Sequence, residues 1–85
     1  MSEGGSAEGI ISRVELAALA ELFDRFEHAF QPQSLAAREA ESAFESRVRS
    51  LYEERVAPRF ASFGLITFHA HVKTLCRAYL KKNVP

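Results

Sequence analysis

The sequence predicts an all-α fold, a three-helix bundle built on an antiparallel helical hairpin. Three observations carry this. Apolar residues recur at helical spacing in two long segments, with Leu16, Leu19, Phe23, Phe26 and Phe30 in one and Ala37, Ala40, Phe44, Val48, Leu51, Tyr52 and Val56 in the other. Helix-start chemistry stands at the head of both, in Ser12-Arg-Val-Glu15 and Ser34. Prolines at 32 and 58 punctuate the chain where the patterns stop.

The stretch from residue 1 to 9, MSEGGSAEG, offers nothing to bury and reads as a disordered tail. Residues 10–85 form a single helical domain. Its first helix is expected over about 12–31. Ser12 can accept from the Glu15 amide while the Glu15 carboxylate reaches back to the Ser12 amide, and Ile11 and Leu16 stand at the staple positions. Ala18 and Leu22 widen the stripe, and the pairs Glu21–Arg25 and Asp24–His28 have the favourable order. Pro32 disfavours helical geometry at Gln31 and ends the run.

A second helix is expected over about 34–57, capped by Ser34 and ended by Pro58. Its early stripe of small residues lets another helix approach closely. The connection PRFASFGL, 58–65, contains Phe60 and Phe63, which are too apolar for a free loop and should fold back on the core.

The third segment is ambiguous. Over 65–73, Ile66, Phe68, Ala70 and Val72 alternate with Thr67, His69, His71 and Lys73 like a strand, whereas Phe68, Val72, Leu75, Cys76, Tyr79 and Leu80 fit a helix. A strand needs a partner ladder, which only 58–65 or another copy could supply. A helix over about 67–82, capped by Thr67 and ended by Lys81 and Lys82, needs nothing external. The expected fold therefore has three helices, with two helices, a strand at 65–73 and a C-terminal helix as the alternative. The expected core is Leu16, Leu19, Phe23, Phe26, Phe30, Phe44, Val48, Leu51, Phe68, Val72, Leu75 and Tyr79.

No reaction is legible. His69 and His71 could share a metal only on a strand, since helical chelation uses i, i+4 spacing. Cys76 lies on the apolar face with no group to activate it, and reads as a small core residue. The carboxylates Glu39, Glu41, Glu45, Glu53 and Glu54 lack the Glu-x-x-His pairs of a di-iron bundle and read as a solvated face. Glycine-rich phosphate loops, Ser/His/Asp signals and Cys-x-x-Cys pairs are missing. No catalytic residue, metal ligand or cofactor is expected.

Charge supplies the functional reading. The formal net charge is zero, yet all 11 acidic residues lie at or before Glu54, against five arginines, a net of −6 over 1–54. Residues 55–85 hold six cations and no acid. On a helix, His69, Lys73, Arg77 and Lys81 form one polar stripe, the expected partner-binding surface. Alternatively, the stripe packs on the protein's own acidic helices.

The expectation is a small non-enzymatic protein–protein interaction or self-assembly module, binding another protein or itself as a homodimer. Nucleic-acid binding through the basic helix is the alternative. Against a DNA-binding helix-turn-helix, the 57–66 connection exceeds the usual three- or four-residue turn. No apolar run approaches the roughly 18–20 residues of a membrane span. The acidic start has no apolar segment and does not read as a signal peptide, and the single cysteine suits a reducing, cytoplasmic setting.

Overall fold

In the computed structural model, residues 10–60 and 62–83 are described; the expected tail at 1–9 lies outside them. The elements are α1 (Arg13–Glu27), α2 (Leu35–Leu51) running directly into a π-helical turn (Tyr52–Val56), and α3 (Leu65–Asn83). Among the described residues there is no strand.

Local chemistry sets the start of α1. The Ser12 hydroxyl accepts from the Glu15 amide at 3.2 Å, and the Glu15 carboxylate accepts from the Ser12 amide at 3.0 Å. This satisfies two amides that a helix start otherwise leaves without partners. Ile11 is buried ahead of the cap and Leu16 packs on the core after it, so the apolar residues flanking the box both pack inward.

The end of α1 departs from expectation. The helix closes at Glu27, with the His28 amide donating to the Asp24 carbonyl at 3.2 Å. The chain then reverses through a turn in which the Ser34 amide donates to the Gln31 carbonyl at 3.0 Å. Pro32 sits just inside that turn, where its fixed φ suits a reversal and its missing N–H cannot serve a helix. Phe30, expected in the core, is left outside the helix and 96% exposed. Ala18 is likewise exposed, while Ala20 is fully buried. At about 100° per residue, Ala18 lies about 140° from Phe23 and Ala20 about 60°.

Ser34 caps α2 through its hydroxyl, which accepts from the Ala37 amide at 3.2 Å. Ala37, Ala40, Phe44, Val48 and Leu51 are all buried. The π turn follows, closed by the Ala57 amide donating to the Tyr52 carbonyl at 2.8 Å. With straight α geometry the next inward position after Val48 and Leu51 is 55. The wider turn delays it by one residue, so Val56 is fully buried and Arg55 lies at the margin.

Residues 65–73 are helical, which overturns the strand alternative. Phe68, Val72 and Cys76 recur at i, i+4 and i+8 and are fully buried. The helix begins at Leu65, and the Phe68 amide donates to the Gly64 carbonyl at 3.0 Å. Thr67 therefore sits inside the first turn, exposed, and is not the cap.

The hairpin and its covering helix are as expected. Glu15 meets Arg55 while Phe23 and Phe26 meet Phe44, so α1 and α2 run antiparallel. Three rings form the centre, with Phe23–Phe26 at 5.4 Å, Phe23–Phe44 at 5.8 Å and Phe26–Phe44 at 5.3 Å between centroids. Such tilted and edge-on pairs add about 0.5–1.5 kcal/mol beyond area burial. Packed against both helices, α3 places Phe68 near Tyr52 and Phe63. Phe63 does fold back on the core, while Phe60 remains 41% exposed.

Candidate interaction surface

The four residues of the basic stripe share one side of α3 but not one environment. His69 is half-buried, its ring edge-on to Phe44 at 5.7 Å. The Arg77 guanidinium carbon lies 5.4 Å from the Phe23 ring centroid, and Nη2 reaches Glu27 at 3.7 Å. Lys73 is half-buried and Lys81 exposed. Among the described residues neither lysine, nor Lys82, has an ion-pair partner. Thus the fold draws His69 toward α2 and Arg77 toward α1, while the lysines stay outside those contacts.

The strongest polar tie in the structure was not anticipated. Arg55 Nη1 and Nη2 donate to the two Glu15 carboxylate oxygens at 2.7 and 2.8 Å, and Nη1 also donates to the Ile10 carbonyl at 2.7 Å. These bonds hold the Glu15 carboxyl down at a pKa of about 2, with the Ser12 amide contributing, and raise that of Arg55. The sequence contained one half of the signal, because the capping box fixes where the Glu15 carboxylate points. The other half is a partner 40 residues away, placed by the hairpin and the π turn it sits in, which no local pattern announces.

Cys76 is wholly buried, and desolvation pushes its thiol up to about 12, so the protonated form prevails at neutral pH. His69 and His71 lie on one helix, two residues apart. Among the described residues no three of His, Cys, Asp and Glu converge as a metal set would require.

Large apolar side chains are exposed at several places, Val14 and Phe60 singly and others beside recesses. At the α1–α2 corner, Phe30 is 96% and Leu35 71% exposed. Phe30 forms one wall of an open cleft of about 370 Å³, which is also lined by Arg25, Ala29, Ser34, Ala36 and Ala37. A second groove, of about 350 Å³, lies between α2 and the start of α3, lined by Glu45, Arg49, His69 and the 85% exposed Ile66 among others. A signal for the corner was present in the sequence. Phe30 ends the α1 stripe two residues before a proline, in the one stretch where the helix cannot be relied on to continue.

No helix among the described residues is long and apolar enough to cross a membrane. Comparison with protein-family models, curated proteins and solved structures returns no match.

Proposed function

We propose that this chain is a non-enzymatic interaction module, a small helical scaffold that acts by contacting protein. The observation that supports this reading best is the α1–α2 corner, where Phe30 and Leu35 stand in water beside an open cleft. Single exposed apolar residues are ordinary on any surface, but a projecting aromatic with a second large apolar residue and a recess beside it is the form of a contact site. Lys73 and Lys81 supply the charge available to such contacts from the basic stripe, since His69 and Arg77 are engaged within the bundle.

A photo-reactive phenylalanine placed at position 30, with a control at the exposed Ala43, tests the reading in cells. A discrete protein adduct from position 30 and none from 43 is expected. No adduct from position 30 at full expression of the chain overturns it.

One observation favours a second reading, nucleic-acid binding. Helix α3 carries no acid, and Lys73, Lys81 and Lys82 have no ion-pair partner among the described residues. Retention on nucleic acid that falls steeply between 50 and 200 mM salt, as phosphate contacts require, would support that reading, and no retention at 50 mM would remove it.

A further inference from the structure

We propose that the occupant of the α1–α2 corner is a second copy of this chain, docked about a two-fold axis so that each Phe30 ring enters the other copy's cleft. This inference rests on the interaction reading above and names its partner. A two-fold interface brings a patch against itself, so the patch must contain both a feature and its complement. The corner does. Phe30 projects, and the cleft beside it is lined by the small side chains of Ala29, Ala36 and Ala37, which leave room for a ring. Arg25, on the cleft's edge, can lie over the incoming ring.

Charge favours this face over the polar side of α3. Around the corner both signs are interspersed, with Glu21 meeting Arg25 at 3.5 Å, Asp24 bonded to His28 at 2.6 Å, and Arg38 exposed in the first turn of α2. Pairing the corner with its own copy therefore opposes no single-sign field. The polar side of α3, with Lys73, Arg77, Lys81 and Lys82 and no acid, would repel itself in the same arrangement.

Area sets the strength. An aromatic side chain brings about 150–250 Å² to an interface. With Leu35 added, each copy contributes a few hundred Å², so the total falls below the roughly 1,200 Å² of a stable complex. An interface of that size suits a weak, reversible dimer, and a dissociation constant on the order of 10–100 µM is the range the experiment searches.

Sedimentation equilibrium on the purified full chain from about 10 µM to 1 mM decides the matter. The weight-average mass should rise from the 9.5 kDa monomer toward twice that value. Phe30→Ser should weaken self-association at least tenfold while its melting curve at 10 µM overlays the wild type's, because the ring is exposed and stabilises nothing within the monomer. Ala36→Glu, which places a carboxylate in the cleft from an exposed position, should do the same. Mixing isotope-labelled and unlabelled chain should give nuclear Overhauser contacts from the Phe30 ring of one copy to the Ala36 methyl of the other. A wild type that stays monomeric at 1 mM overturns the proposal, as does a Phe30→Ser variant that dimerises like the wild type. A monomeric chain that still forms a heavier adduct from position 30 in cells removes the second copy and leaves the interaction module standing.

Discussion

Replacing Arg55 by methionine removes the guanidinium but keeps most of the aliphatic stem against the bundle. The change breaks the two parallel bonds to Glu15, at 2.7 and 2.8 Å, and the bond to the Ile10 carbonyl. It thereby unties the chain ahead of α1, the first turn of α1 and the end of α2 from one another. Depression of the Glu15 carboxyl from 4.5 to about 2 would correspond, unscreened, to roughly 3 kcal/mol. Ser12 supplies part of that depression, and with the side chains 36% and 30% exposed water and salt screen the pair, so about half survives as the share of Arg55. A loss of about 1.5–2 kcal/mol is expected, which lowers the melting temperature of a domain this size by about 6–16 °C.

The pH dependence gives an independent reading. A carboxyl with a depressed folded pKa contributes stability that is fully present above its unfolded value, near 4.5, and is lost as pH falls toward its folded value, near 2. Urea melts followed by circular dichroism at pH 7, 5, 4 and 3 should show the wild type losing about 1 kcal/mol more than Arg55→Met across that range. Part of the slope should remain in the variant, because the Ser12 amide still bonds the carboxylate. A loss under about 0.5 kcal/mol at pH 7, or parallel acid profiles, would refute the assignment of the tie to this pair.

Three further outcomes follow from the packing. Phe44, fully buried and against the rings of Phe23, Phe26 and His69, should cost about 3–5 kcal/mol on truncation to alanine, enough to abolish a cooperative urea transition in so small a domain. A surviving sharp transition would show that the core has another centre. The Cys76 thiol should react with a disulfide reagent only as fast as the helix opens, with a rate that climbs with urea, and immediate reaction of the native protein would contradict its burial. Ser34→Ala should cost about 1 kcal/mol by removing the acceptor for the Ala37 amide, read as a lower urea midpoint at unchanged slope, and an unchanged midpoint would show that the cap contributes nothing.

What the sequence revealed and what it concealed divide along physical lines. Capping at Ser12 and Ser34 is local chemistry within four residues, and both caps form as read. The stripes of α2 and α3 are regular periodicities, and Phe44, Val48, Leu51, Phe68, Val72 and Cys76 lie where those periods put them. The apparent strand alternation of 65–73 was settled by the full segment, since Phe68, Val72 and Cys76 fall on one helix face and no described strand exists to pair with it. The misses arise where geometry leaves the period. Phe30 fits the α1 stripe numerically, but α1 stops at Glu27 to allow the reversal at Pro32. Arg55 meets Glu15 from the π turn, where α2 leaves its regular period, across 40 residues of sequence that no local pattern links.

The uneven charge of the chain has a largely structural explanation at two of its points. Arg55 binds Glu15 in the first turn of α1, and Arg77 reaches Glu27 at the last residue of the same helix. Two cations from the basic third of the sequence thus hold the acidic first helix near its two ends, which is the intramolecular role that a net charge of zero permits. What they leave over is weaker: Lys73, Lys81 and Lys82 on α3, and Glu39, Glu41, Glu45 and Glu53 at the surface of α2 and its π turn, with no ion-pair partners among the described residues. Exposed charges of this kind contribute about 0–1 kcal/mol per pair and are screened within about 8–10 Å at physiological salt. A buried aromatic anchor contributes more than 2 kcal/mol at a contact. On those magnitudes the contact we propose at Phe30 would outweigh the lysines of α3, with charge setting mainly how a partner approaches.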